Sequence, residues 1–134
     1  MNRAQMDSRC PENRFVGKAL LEGYKLVFDG APGNAYANIV VNENESVWGG
    51  LYFISANDEA LLDGFEGVAS GTYSKMNVSV TLGNGTATTA MAYYRIGLSP
   101  TQPSQEYLYR VLEGARDCGL PEDYVNEHLR DNYS

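Results

Sequence analysis

Phe65-Glu66-Gly67-Val68-Ala69-Ser70-Gly71-Thr72-Tyr73 sets a single carboxylate between the end of a helical stretch and the start of an alternating one. Glycines on either side allow close backbone approach, and Tyr73 follows seven residues after the acid. Most carboxylates sit on solvated faces, whereas this one is bracketed by Phe65 and Val68. The C-terminus of a helix already carries partial negative charge and disfavours another. A charged group held in an awkward place is a candidate for chemistry. Glu66 is the candidate catalytic residue.

Upstream, Ser55 is placed to cap a helix over 56–65, with Asp58 three residues later as a shortened capping box. Ala60, Leu61 and Leu62 are its expected buried face. Before it, Ser46 to Ser55 alternates through Val47, Trp48, Leu51, Tyr52 and Ile54 and reads as a strand. Gly49-Gly50 inside that strand marks a bulge or a close ligand approach. Tyr24 to Phe28 and Ala37 to Val41 are two further strands, the first ended by Asp29-Gly30 and Pro32-Gly33. Arg3 to Arg9 forms a short helix that Pro11 stops.

Downstream, Thr72 to Leu82 and Thr86 to Ile96 form a hairpin, with Asn84-Gly85 as a two-residue turn. Ser104 caps a helix whose Leu108, Val111, Leu112 and Ala115 fall at i, i+3, i+4, i+7. Gly119 suits its C-terminal end, and Pro121 opens a last short helix to about Leu129. The pattern is α+β with strands dominating, in one domain.

The 134 residues suffice for a real core. Ten basic against seventeen acidic residues give a net charge of −7, which argues against nucleic-acid binding. No apolar run is long enough to span a membrane, and the N-terminal residues carry no apolar signal segment. A cytoplasmic protein is expected, with Cys10 and Cys118 as reduced, inert thiols and the sequons at Asn44, Asn77, Asn84 and Asn132 as coincidences. His128, among Glu127, Arg130 and Asp131, reads as a solvated surface residue. No metal-ligand spacing, P-loop, dinucleotide fingerprint or nucleophile elbow is present in the sequence. Trp48, Tyr73, Tyr93, Tyr94 and Tyr107 read first as core aromatics, whose polar tips need partners.

Taken together, the segments say more. Val47-Trp48-Gly49-Gly50-Leu51-Tyr52 is followed by Leu62-Asp63-Gly64-Phe65-Glu66-Gly67-Val68 and Gly71-Thr72-Tyr73. Then come Pro103-Ser104-Gln105-Glu106-Tyr107, Gly114-Ala115 and Gly119-Leu120-Pro121-Glu122-Asp123-Tyr124, with Gly17-Lys18-Ala19-Leu20-Leu21 and Ala37-Asn38-Ile39 upstream. In this order and spacing the chain resembles the γ-glutamylcyclotransferase (AIG2-like) family over essentially its whole length. The resemblance implies a small mixed β-barrel with flanking helices, a small γ-glutamyl amide as substrate, and no cofactor or metal. Such proteins close the glutamyl α-amine onto its own γ-carbonyl, releasing 5-oxoproline and an amine. Glu66 matches the family's acid/base. Tyr73 and Tyr107 match tyrosines of its pocket and are assigned to substrate binding, as is Gly50. A Glu serves as base to an amine only where a dry pocket raises its pKa, and Phe65 and Val68 are the expected apolar walls.

One departure accompanies the match. Family members begin with a strand ending in Tyr-Gly-Ser-Asn, whose loop presents backbone N–H groups to the glutamyl carboxylate and carbonyl. Here the family-like sequence starts with Met1 to Met6, which matches the helix after that loop. Three explanations are weighed: a start at an internal methionine of a longer active protein, a non-catalytic binding or scaffold module of the same fold, or a strand added by another chain. The first is preferred. The chain as given is expected to be weak or inactive, and the exposed edge to favour a homodimer.

Overall fold

The computed structural model describes residues 2–31, 34–96 and 99–130. The chain opens with helix α1 (Arg3–Arg9), where the Asn2 side chain accepts from Gln5 N and caps the first turn. Two long strands follow, β1 (Arg14–Ala31) and β2 (Asn34–Phe53), then helix α2 (Ala56–Glu66). Strands β3 (Ser74–Leu82) and β4 (Ala87–Tyr94) form the hairpin, and helices α3 (Gln105–Asp117) and α4 (Glu122–Val125) follow. The last runs into a π-helical turn, Asn126–Arg130. The Pro32-Gly33 turn and the Asn132 sequon lie outside the described residues.

The strands form one sheet in the order β2-β1-β3-β4, with every pairing antiparallel. The α+β expectation holds, with helices flanking the sheet. The mixed, closed barrel does not: the sheet of the described residues is open. Its β1–β3 seam is only two register pairs long, Ala19↔Leu82 and Leu20↔Thr81. The seam holds the β1–β2 and β3–β4 pairs together at one end.

Three strands expected as separate segments are two continuous ones. Ala37–Val41 and Ser46–Ser55 both belong to β2, which pairs with β1 from Phe53 back to Asn34. The polar Asn42-Glu43-Asn44-Glu45 run between them looks like a loop, yet it rides through as an irregularity opposite Gly23. Gly23 adopts φ 85°, so β1 absorbs the mismatch at a position only glycine occupies cheaply. The hairpin turn also differs from the two-residue form. Leu82 and Thr86 are the last bonded pair, and Gly83–Gly85 form a three-residue loop with Gly85 at φ 87°.

Packing follows the alternation. Val78 and Val80 of β3 are buried while Asn77 and Ser79 face water, and they join Ala19, Leu21 and Val47 in the core beneath the sheet. At the other end, Phe28 and Ala35 pack with Leu108 and Ala115 of α3 and with Val125 and Leu129. Full burial of Phe28 or Leu108 stabilises by about 2 kcal/mol each. A third cluster, Met6, Cys10 and Leu62, joins α1 to α2. On α2 it is Leu62 and Asp58 that are buried, while Leu61 is 48% exposed and Ala60 faces solvent. Both cysteines are buried and unlinked. His128 is not solvated as expected: its ring stacks on Tyr124 with centroids 4.5 Å apart and its side chain is 20% exposed.

Candidate active site

Glu66 is the last residue of α2, and the chain leaves it by a left-handed cap. Gly67 has φ 66°; its N–H donates to Gly64 O at 3.2 Å, and Val68 N–H donates to Asp63 O at 3.0 Å. This pair of bonds is a Schellman ending, which satisfies carbonyls the helix would leave open. A Cβ on Gly67 would lie 2.9 Å from Thr72 Cβ, so glycine is required for space as well as conformation. Thr72 N then returns to Gly67 O, and Gly71 N to Val68 O. The knot from Gly67 to Thr72 fixes where Tyr73 emerges relative to Glu66.

Tyr73 meets Tyr107 on one peptide group. The Tyr73 hydroxyl donates to Ala37 O at 3.1 Å, and Ala37 N–H donates to the Tyr107 hydroxyl at 3.0 Å. Tyr107 sits in the first turn of α3, whose N-cap Ser104 accepts from Tyr107 N. The Tyr107 ring meets Phe28 and Tyr36 edge-on. The α3 cap and the loop after α2 thus aim both phenols at β2.

Beside them lies a buried polar network that motif reading missed. The Asn38 amide donates to Asp29 Oδ2 and to Arg95 O, both at 2.8 Å, and its oxygen accepts from Arg95 N at 3.1 Å and Ile39 N at 2.9 Å. Every hydrogen-bonding position of the amide is used, which fixes its orientation. Arg95 closes the network: Nε and Nη2 reach Asp29 Oδ1 at 3.0 and 2.9 Å, and Nη2 also donates to Asp29 O. The guanidinium lies 5.0 Å from the Tyr73 ring centroid and 5.7 Å from that of Tyr36. No contiguous pattern links Asp29, Asn38 and Arg95, which come from β1, β2 and the loop after β4.

Electrostatics gather these groups around Glu66. Partial burial pushes its carboxyl above the ordinary range, against the opposing pull of Arg9 and Arg95. Its position at the negative end of α2 acts in the same direction as burial. Tyr73 is pushed up to about 12, chiefly by burial; Tyr93 and Tyr107 are also raised by burial first, and all three feel the Glu66 charge. No hydrogen bond or ion pair holds the Glu66 carboxylate among the described residues. The walls differ from expectation, because Phe65 is 56% exposed and carries Arg9 on its ring at 4.7 Å. Val68, the other expected wall, is half-buried.

One turn back on α2, Asp63 accepts from the Tyr93 hydroxyl at 2.6 Å and from Lys75 at 2.9 Å, while Glu59 takes Lys75 at 2.7 Å. These bonds clamp the helix that carries Glu66 onto β3 and β4. Gly50 belongs to a different neighbourhood. It pairs with Lys18, ten residues along β1 from the Phe28–Ala37 pair, roughly 30 Å of strand. A Cβ there would lie 2.4 Å from Cys118 Sγ and 3.3 Å from the Tyr52 ring. The structure therefore brings Glu66, Tyr73 and Tyr107 together and sets Gly50 against the end of α3. A separate cavity of about 240 Å³, lined by Leu112, Ala115, Arg116, Gly119, Leu120, Glu122 and Val125, contains none of the four. Among the described residues no cluster of three or more His, Cys, Asp or Glu is placed to hold a metal, and no helix is long and apolar enough to cross a membrane.

An antiparallel sheet with flanking helices is the fold of a γ-glutamylcyclotransferase-like protein. The AIG2-like family model matches residues 46–128, more than half of the chain, and the protein belongs to this family of γ-glutamylcyclotransferase relatives. It is similar to the γ-glutamylcyclotransferase of Bos taurus, at 29% identity over 123 residues, and to that of Mus musculus at 28%. Each match covers 87% of this chain and 65% of the relative, so the chain spans slightly less than two thirds of the length of these proteins. A solved γ-glutamyl cyclotransferase superposes with a TM-score of 0.90 at 25% identity, over 99% of this chain and 82% of that one. An uncharacterized Homo sapiens protein gives 0.89 at 26%, over 99% and 85%.

Proposed function

We propose that this protein acts as a γ-glutamylcyclotransferase, converting a γ-glutamyl amide to 5-oxoproline and a free amine. The observation that carries the reading is Glu66: a half-buried carboxylate at a helix end, without a hydrogen bond or ion pair among the described residues, raised by burial and close enough for its charge to act on Tyr73, Tyr93 and Tyr107. In this reading Glu66 accepts a proton from the substrate's α-ammonium. The amine nitrogen attacks the γ-carbonyl carbon, and the ring C–N bond forms. Glu66 then returns the proton to the departing amine as the original amide bond breaks. An ordinary Glu, at pKa ~4.3, is a poor partner for an ammonium, and partial drying of the site narrows that gap from both sides.

Tyr73 and Tyr107 position the folded glutamyl chain, and holding it folded supplies the proximity that an intramolecular attack exploits. Gly50 contributes from a distance, by letting α3 close on β2 at Cys118. The test is 5-oxoproline release from γ-glutamyl peptides by the protein and by Glu66→Gln. A fall of about 10²–10⁴-fold in kcat is expected for the variant. Equal rates would remove Glu66 from the chemistry, and no release by either would leave a binding module of the same fold.

A further inference from the structure

A helix on the surface of a globular domain normally turns its apolar stripe inward and its charges outward. Helix α2 does the reverse. At about 100° per residue, Asp58, Glu59, Leu62, Asp63 and Glu66 fall on one half of its circumference, and Asn57, Ala60, Leu61, Gly64 and Phe65 on the other. The charged half faces the molecule: Asp58 is buried, Glu59 and Asp63 hold Lys75, and Glu66 is half-buried. The other half faces water, with Leu61 48% and Phe65 56% exposed and Asn57, Ala60 and Gly64 open beside them. A contiguous apolar face without a carboxylate, on a chain of net charge −7, is a surface for association.

The face is complementary to itself. Small and large residues alternate along it as Ala60, Leu61, Gly64 and Phe65. When two copies of α2 run antiparallel, one register sets Leu61 of each copy at Gly64 of the other and Phe65 at Ala60. Gly64 leaves a notch to receive the leucine, since a Cβ there would find nothing within 4 Å. Parallel helices about a two-fold axis would instead set Leu61 on Leu61 and Phe65 on Phe65. Charge selects the same orientation. Arg9 lies 4.7 Å from the Phe65 ring centroid, by the C-terminal end of the helix, while Glu12 accepts from the Ser55 hydroxyl at 2.7 Å, by its N-terminal end. An antiparallel two-fold brings Arg9 of each copy towards Glu12 of the other, and it opposes the two helix dipoles.

We propose that the protein forms an isologous homodimer by antiparallel packing of α2 on the α2 of a second copy, with Leu61 seated at Gly64 and Arg9 paired with Glu12 across the interface. The proposal goes beyond the cyclotransferase reading and does not depend on it. One face of an 11-residue helix is smaller than the about 800 Å² per partner of a stable complex, so the dimer is reversible. Phe65, open to water in one copy, is covered in the pair.

Sedimentation velocity on the full chain, from low to several hundred micromolar, is expected to show a monomer–dimer equilibrium. Leu61→Glu, which sets a charge at the centre of the face, weakens it at least about tenfold. Gly64→Gln fills the notch with a better helix former. It weakens the dimer to a similar extent while melting no lower than the parent, which guards against loss of association through misfolding. Arg9→Glu and Glu12→Arg each weaken the dimer alone. An equimolar mixture of the two recovers it, because both pairs across the interface are then again of opposite sign. A monomer at every concentration overturns the proposal, as does a dimer that survives Leu61→Glu and Gly64→Gln. A mixture no more dimeric than its components removes the antiparallel pairing and the proposal with it.

Discussion

The Tyr93 hydroxyl donates to Asp63 Oδ1 across 2.6 Å and so joins strand β4 to the helix that ends in Glu66. That bond, followed by the Lys75 ammonium, holds the Asp63 carboxyl below the usual carboxylate range. A lowered folded pKa stabilises the protein above the unfolded value of about 3.9, and the gain is lost as pH falls through the lowered value. Tyr93→Phe is expected to cost about 1 kcal/mol at pH 7. Urea titrations at several pH values should show the deficit shrinking below pH ~4; a constant deficit would assign it to packing.

Glu66 shows the opposite sign. Burial raises its folded pKa, so its favourable contribution is complete below the unfolded value of about 4.3 and lost as pH rises through the folded one. At pH 7 the protein carries a half-buried charge that Arg9 and Arg95 offset only in part, with Tyr73, Tyr93 and Tyr107 around it. Glu66→Gln should therefore melt higher than the parent at pH 7 and alike near pH 4. A variant less stable at pH 7 would show that the charge is adequately compensated.

The two tyrosines on Ala37 are unequal. Tyr107→Phe strands an N–H donor and is expected to cost about 1–2 kcal/mol, whereas Tyr73→Phe strands a carbonyl with a second lone pair and costs about 0.5–1 kcal/mol. Because both act on one peptide group, the double variant should depart from additivity in denaturant unfolding.

Glycines with similar backbone angles should respond differently. Gly67→Ala meets both a left-handed φ and Thr72 at 2.9 Å, while Gly71→Ala, at φ 81°, meets open space. About 1 kcal/mol is expected at Gly71 and more at Gly67. Gly50→Ala collides with Cys118 Sγ instead, so Cys118→Ala should recover much of its loss. Thermal melts of the single and double variants decide this.

The sequence exposed most of the elements because their ends carry local chemistry. Ser55 and Ser104 cap α2 and α3 as expected, and Gly67 and Gly119 end them in left-handed conformations. Strand limits were less legible. A polar run such as Asn42 to Glu45 reads as a loop, and only its pairing partner reveals that the strand continues. The buried face of α2 was misread for a related reason: Leu61 and Leu62 are equally apolar, and the packing of α1 decides that Leu62 goes inside. Within the site, the carboxylate and its two tyrosines were visible through family resemblance. Asp29, Asn38 and Arg95 were not, since a hydrogen-bonded network between distant segments leaves no local periodicity.

Asn38 has a consequence for the outer margin of β2. An amide side chain shares the donor and acceptor of a peptide group, and here it engages both N–H and C=O of Arg95 as a neighbouring strand would. With Tyr73 and Tyr107 occupying Ala37, and the Asn38 oxygen occupying Ile39 N, this margin of β2 offers few vacant bonds to an incoming chain. A strand that adds there must displace three side chains first. The outward-facing groups of this stretch of β2 are thus already bonded within the chain.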